Sequence, residues 1–215
     1  MDYIRVYLQK TIVFNWNKKM KSKDWLNRQK RDFYVKKAKK HGYLSRAAYK
    51  LIEIDNKFKI IQDSKNVLEF GAAPGGWCQV ALEINSEIKI TAIDLLDLKI
   101  KHPNVNFCKA DYLEFDFSKK ENYYDLILSD IAPNTTGHQS TDHLRIANML
   151  FDIIDLLEKV LINEGTFVTK IWKGSEEKNL VNNNKKKFKH VSYFKPDSSR
   201  KDSAEIFIVA INFIK

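Results

Sequence analysis

The stretch NVLEFGAAPGGW, Asn66 to Trp77, decides how the rest of the chain reads. Asn66 to Phe70 is a short apolar run suited to a strand, and Gly71 to Gly76 is a cluster of small residues that lets the backbone turn sharply. Pro74 stiffens that turn before a helix expected from about Trp77. Downstream, the same grammar repeats. KITAID (89–94), NVNFCKAD (104–111) and DLILSD (125–130) read as strands, followed by a long helix near 142–162. GTFVTKIW (165–172), a helical stretch near 175–187, HVSYFKP (190–196) and EIFIVAINF (205–213) complete the series. Short apolar strands separated by helical runs predict a mostly parallel sheet covered on both faces, a Rossmann-like doubly wound α/β fold. Upstream, SRAAYKLIEIDNKF (45–58) has helical spacing with Ser45 as N-cap, and 24–40 suggests short helical segments with one strongly basic side.

Composition bounds the function. The 215 residues are 44% hydrophobic and 12% aromatic, enough for one packed domain plus an appendage and too few for two. No stretch approaches the roughly 20 apolar residues of a membrane span. Cys78 and Cys108 supply neither a disulfide framework nor a metal-ligand cluster, and the five histidines show no ligand spacing, so no metal is expected. Residues 1–20 show no secretory or transit pattern. They are expected to form a disordered extension, with Met20 as an alternative start and residues 21–215 as a single domain. A monomer in a reducing cytoplasm is the expectation.

The net charge of +10 is unevenly spread. Residues 1–50 carry 15 Lys+Arg against 3 Asp+Glu, residues 51–172 carry 12 against 19, and residues 173–215 carry 10 against 5. Lysine-rich, low-GC composition accounts for some of this as solvated surface, but a sign asymmetry concentrates positive potential in one region and points to a polyanion. Residues 21–60 are the expected docking segment. Arg28, Arg31, Lys36, Lys37, Lys39, Lys40 and Arg46 are its candidate phosphate contacts, with Tyr34, Tyr43 and Tyr49 as stacking surfaces.

Parallel sheets hold ligands at the carboxyl ends of their strands. Three acids stand there: Asp94 after the second strand, Asp111 after the third and Asp130 after the fourth. Any one of them reads equally well as a helix N-cap. Together with the small-residue loop they describe a nucleoside pocket, in which Asp94 accepts from ribose hydroxyls and Asp111 from an adenine amino group. Ala73 breaks the GxGxxG pattern of a dinucleotide site, which disfavours a nicotinamide oxidoreductase and a pyrophosphate ligand. An electronegative lip suits a sulfonium, so S-adenosylmethionine is the expected cofactor. Asp130 also stands out with three more positions once the sheet is drawn: Lys50 on the preceding helix, Lys170 within an apolar strand, and Glu205 at the start of the last strand. A lysine in such a strand is costly to bury unless it is paired, and function is the commoner reason to keep it.

SRAAYKL, EFGAAPGGW, LSDIAPN, FVTKIW, KPDSSR and SAEIFIVA resemble, in order and spacing, the FtsJ/RrmJ family of ribosomal RNA 2′-O-methyltransferases, from about Trp25 to the C-terminus. The similarity is strongest to its bacterial branch acting on a uridine of large-subunit rRNA. The resemblance implies a seven-stranded sheet with one antiparallel strand near the C-terminus, a catalytic tetrad at Lys50, Asp130, Lys170 and Glu205, and donor contacts at Gly75, Trp77, Asp94, Asp111 and Asp130. Glu69, Phe70 and Cys78 depart from the usual family residues. Trp77 reads equally as a core anchor. Lys170 is the candidate base for the 2′-hydroxyl: burial and Lys50 would ease the loss of its proton, while Asp130 and Glu205 oppose it and fix geometry. Large-subunit rRNA or a ribosomal particle is the expected partner. Methylation of tRNA or an mRNA cap by the same tetrad, or a non-catalytic RNA-binding assembly factor, are the alternative readings. DIAP after the fourth strand argues against an amine substrate. NTTGHQSTDH (134–143) is expected to be a mobile loop beside the site.

Overall fold

The computed structural model describes residues 30–132, 139–174 and 176–215. The expected extension at 1–20, as well as Trp25 and Arg28, lie outside the described residues. In chain order the elements are α1 (Phe33–His41), α2 (Ala48–Phe58), β1 (Asn66–Phe70), α3 (Gly76–Ile84), β2 (Lys89–Asp94) and β3 (Val105–Lys109). They continue as β4 (Tyr124–Ser129), α4 (Gln139–Val160), β5 (Leu161–Trp172), α5 (Glu177–Lys187), β6 (Phe188–Phe194) and β7 (Glu205–Phe213).

The strands form one seven-stranded sheet in the order β3-β2-β1-β4-β5-β7-β6. Neighbours from β3 to β5 are parallel, and β7 runs antiparallel to both β5 and β6. The chain moves outward from β1 through β2 to β3, then returns to lay β4 on the other side of β1. That reversal opens a crevice at the carboxyl ends of β1 and β4, where open α/β sheets take ligands.

Strand pleating sorts side chains onto two faces. Leu68, Phe70, Ile127, Phe167 and Ile171 join Ile146, Leu150, Ile153 and Leu157 of α4 in one core. Val67, Leu126, Leu128, Val168, Phe207 and Val209 join Leu51 and Ile54 of α2 and Val80 and Ala81 of α3 in the other. Counting by twos from Leu128, Val168 and Phe207 puts Asp130, Lys170 and Glu205 on the α2 face. Because β7 is antiparallel, its first residue stands level with the last residues of β5: Glu205 pairs with Trp172 and Phe207 with Lys170.

Three local expectations need correction. Ser45 does not cap α2: the helix begins at Ala48 with Ala47 at its cap and no side-chain cap bond, and the Ser45 carbonyl accepts from Ala48 N at 3.3 Å in a preceding turn. The long helix starts at Gln139, so residues 139–143 are helical and not part of a loop, while 133–138 lie outside the described residues. Its first turn, QSTD, is polar, and a pattern of apolar residues begins only with Leu144 and Ile146, which is why spacing placed the start late. At its other end α4 stops at Val160 and β5 begins at Leu161, four residues before the expected strand.

β1 leaves the sheet through Gly71, whose φ of 73° is left-handed. A Cβ there would stand 2.9 Å from both Cα and N of Ile131. Gly71→Ala should therefore force the β1 loop away from the chain after β4, at a cost of about 1–3 kcal/mol. A lowered urea midpoint at unchanged m-value checks this; an unchanged midpoint contradicts it.

Candidate active site

A cavity of about 290 Å³ lies at the strand reversal, lined among others by Gly71, Asp94, Asp111, Tyr112, Asp130 and Met149. The three strand-end acids thus meet in one cleft. Asp94 is also a structural tie: Oδ2 accepts from Ala73 N and Oδ1 from Leu96 N, each at 2.8 Å, joining the small-residue loop to the end of β2. Each carboxylate oxygen retains a second lone pair for a ligand hydroxyl. Asp111 Oδ1 accepts from Leu113 N at 3.1 Å, an Asx-type turn that fixes the carboxylate at the cleft wall. Gly75 and Trp77 are not brought to the cavity wall. Trp77 is 2% exposed, donates from Nε1 to Ala47 O at 2.8 Å and packs on Phe207, so its ring pins α3 to the start of α2. Gly75, at φ 113°, sits where a Cβ would meet Ile100 Cγ2 at 2.8 Å.

The four residues expected to converge do so. Lys170 Nζ donates to Asp130 Oδ1 at 2.8 Å and to the Asp130 carbonyl at 2.7 Å. Lys50 Nζ donates to Glu205 Oε2 at 2.7 Å and stands 3.7 Å from Asp130 Oδ1. Lys170 is 6% exposed, so its pairing is required and not incidental. Burial pushes the Asp130 carboxyl upward, but the charges of Lys170 and Lys50 and their hydrogen bonds outweigh it and hold the group below the usual carboxylate range. Asp130 belongs both to this cluster and to the cavity wall. Two partners of the cluster escaped the sequence reading: Ser199 Oγ donates to Glu205 Oε1 at 2.7 Å, and Arg200 lines a smaller cleft of about 170 Å³ with Arg46, Lys50, Ser203 and Glu205. Both belong to the KPDSSR stretch at 195–200.

On the N-terminal side the tyrosines do not form an open stacking surface. Tyr49 is buried, its ring 5.5 Å from those of Tyr34 and Tyr43, its hydroxyl 3.1 Å from His41 Nδ1, and Lys37 Nζ stands 4.5 Å from its centroid. Tyr43 donates to Glu83 at 2.6 Å. This aromatic hub fastens α1 to α2, and the exposed ring is Phe33, at 67%. Arg31, Lys36, Lys39 and Lys40 are exposed, whereas Lys37 is half-buried.

Two of the departures noted in the sequence are one feature in space. Cys78 Sγ on α3 donates to Glu69 Oε2 on β1 at 2.9 Å, both buried beneath the loop. Desolvation by burial, with smaller contributions from Asp130 and Asp94, raises the Glu69 carboxyl to about 8 against the opposing Cys78 hydrogen bond. Glu69 is therefore largely protonated at neutral pH.

Among the described residues no group of His, Cys, Asp and Glu could hold a metal ion, and no helix is long and apolar enough to cross a membrane. The fold is that of a Rossmann-like methyltransferase. A model of FtsJ-like methyltransferases matches residues 43–213, and the chain belongs to that family. It is 41% identical over 219 residues to the ribosomal RNA large subunit methyltransferase E of Rickettsia bellii, covering 96% of each chain. To the protein of the same name from Wolbachia sp. subsp. Brugia malayi it is 40% identical over 205 residues, covering 92% of this chain and 91% of the relative. A solved ribosomal RNA methyltransferase from Plasmodium falciparum is 33% identical, with a TM-score of 0.68 over 80% of this chain and 98% of that one.

The Glu69 arrangement has a pH signature. Its folded value, about 8, lies above the reference 4.5. As pH rises through that window the unfolded chain ionises first, so this group lowers stability by up to ~1.4 kcal/mol per pH unit and adds no further slope above it. Glu69→Gln should remove that slope, so that its stability relative to wild type climbs between pH 5 and 8. Parallel urea titrations of the two proteins across this range would contradict the assignment.

Proposed function

We propose that this protein methylates the ribose 2′-hydroxyl of a uridine in large-subunit ribosomal RNA, within the ribosomal particle, using S-adenosylmethionine. The observation that carries the reading is the double membership of Asp130: one carboxylate belongs to the wall of a nucleoside-sized cleft and to a buried Lys–Asp–Lys–Glu cluster. The names of the relatives support the substrate class, and the chemistry of the cleft supports the donor. Asp94 is suited to ribose hydroxyls, Asp111 to an amino group and Asp130 to a positive charge. When bound, S-adenosylmethionine supplies an electrophilic methyl carbon whose bond to sulfur breaks, with the electron pair going to sulfur, as the 2′-oxygen attacks.

The residues of the chain supply alignment and the proton's destination. Lys170 rests as an ammonium beside Asp130 and gives one proton to solvent before the transfer; the amine that results has two N–H bonds and one lone pair. Both hydrogens of Lys170 have acceptors, the Asp130 carbonyl and Oδ1, so the lone pair is left to face the attacking hydroxyl and takes its proton as the new O–C bond forms. Lys50, held by Glu205, stabilises negative charge developing on the ribose oxygen. Gly75 and Trp77 act on the donor indirectly, by shaping the loop and anchoring α3. The substrate approaches from the side of Arg46 and Arg200, whose guanidiniums line the smaller cleft against Lys50 and Glu205. Exposed Arg31, Lys36, Lys39 and Lys40 extend this positive surface, and Phe33 offers a face for an unstacked base.

Incubating ribosomal subunits with labelled donor and mapping the product should reveal a 2′-O-methyluridine in the large-subunit RNA; labelled ribose in another RNA would reassign the substrate, and no ribose label would reject the reading. Lys170→Ala should slow single-turnover methylation by about 10²- to 10⁴-fold while donor affinity is retained. Near-normal turnover by this variant would remove Lys170 as base. Reversing the charges of Lys36, Lys39 and Lys40 should weaken RNA binding and flatten its salt dependence by roughly 0.7–0.9 per lost phosphate contact; unchanged affinity and slope would place the docking surface elsewhere.

A further inference from the structure

Asp32 sits outside the cluster and lines neither cleft, yet both arms of the proposed RNA face end on it. Its side chain is 8% exposed. Oδ1 accepts from Tyr34 N at 3.0 Å and Val35 N at 3.2 Å, capping α1. Oδ2 takes two guanidiniums, Arg46 through Nη1 and Arg200 through Nε at 3.2 Å. Arg46 comes from the turn before α2 and Arg200 from the segment between β6 and β7, so one carboxylate joins three separate pieces of chain. The junction continues inward: Arg46 Nη2 donates to Ser198 O, and the adjacent Ser199 holds Glu205, which holds Lys50.

A cap needs only one acceptor oxygen, and Asn serves there as well as Asp. What Asn cannot supply is the negative charge between two guanidiniums. Burial weakens the hold of Arg46 on its proton, Asp32 counters that, and the neighbouring charge of Arg200 works in the same direction as burial. Without the anion, the two arginines repel each other at the rim of the smaller cleft, and their planes lose the common acceptor that sets their spacing.

We propose that Asp32 is a positioning residue for the RNA substrate: its carboxylate sets Arg46 and Arg200 side by side at the rim of the catalytic cluster and locks the basic helix α1 onto that rim. The proposal rests on the reading of the protein as an RNA methyltransferase, because it assigns the guanidinium pair to backbone phosphate.

Asp32→Asn separates the two duties, keeping the cap and removing the charge. Its affinity for S-adenosylmethionine should match wild type and its thermal midpoint should fall less than that of Asp32→Ala, while KM for ribosomal subunits rises about tenfold with kcat within threefold. Asp32→Ala should show the same rise in KM and in addition the larger fall in thermal midpoint. In the Asp32→Asn background, Arg200→Ala should cost distinctly less in KM than it does in wild type, since the pair is already released. A KM within twofold of wild type for Asp32→Asn, or full additivity with Arg200→Ala, would overturn the assignment and leave Asp32 as a cap alone. A wild-type protein that binds subunits but marks no ribose would instead reject the function on which it rests. The two failures are therefore distinct, because filter binding of labelled subunit RNA reads the Asp32 effect without turnover.

Discussion

A carboxylate lodged between two ammonium groups at the end of β4 is the constraint around which the rest of the molecule is arranged. Asp130 touches Lys170 directly and lies 3.7 Å from Lys50, whose own closest partner is Glu205. Buried charges of this kind are poor sources of net stability, because desolvation consumes most of the Coulombic gain. Removing one partner, by contrast, strands a charge and costs on the order of 3–5 kcal/mol. The cluster is therefore an all-or-none object, held by the surrounding cores and not holding them. A buried cluster on the face of an otherwise apolar sheet calls for a chemical reason, and the proposed proton removal beside a methyl donor supplies one.

The sheet meets this constraint by simple geometry. Pleating puts Asp130, Lys170 and Glu205 on one face, and reversing a single strand brings the beginning of β7 level with the ends of β4 and β5. An all-parallel arrangement would place a strand's first residue at the opposite edge. Helix α2 packs on that same face through Leu51 and Ile54, and Lys50, next to Leu51, is carried in with it. Beneath the loop, Glu69 and Cys78 form a buried pair whose carboxyl retains its proton, so it ties β1 to α3 without adding full negative charge beside Asp94 and Asp130.

On the outer side, charge and packing divide the work. The tyrosines of α1 and α2 are consumed in holding the two helices together, which leaves the lysines and Phe33 as the groups facing solvent. Arg46 and Arg200 stand between that surface and the cluster, bridged by Asp32. Positive charge thus grades from a diffuse lysine field, through two oriented guanidiniums, to the buried pair Lys50 and Lys170. A long polyanion suits the first of these, and a single nucleotide the last.

Much of this was legible in the chain alone. β1, β2 and β7 were bounded to the residue, and the three cleft acids were found from strand ends, because parallel-sheet topology makes position along a strand equivalent to position in space, whereas the four-member cluster came with the family resemblance. Local pattern failed where the deciding partner was distant. The polar first turn of α4 carries no apolar rhythm, and Ser45 looks like a cap until the turn before α2 is seen. Tyr49 reads as a stacking group until α1 closes over it. Trp77 reads either way in the sequence, and only the packing of α3 on α2 shows its ring buried against Phe207 with Nε1 bonded to Ala47 O. Asp32 carries no signal of its own in the sequence. Its second oxygen meets Arg200, 168 residues away, and no spacing rule reaches that far: local order follows from the backbone's own hydrogen bonds and apolar period, whereas charge pairing at this distance exists only after the sheet has brought the segments together.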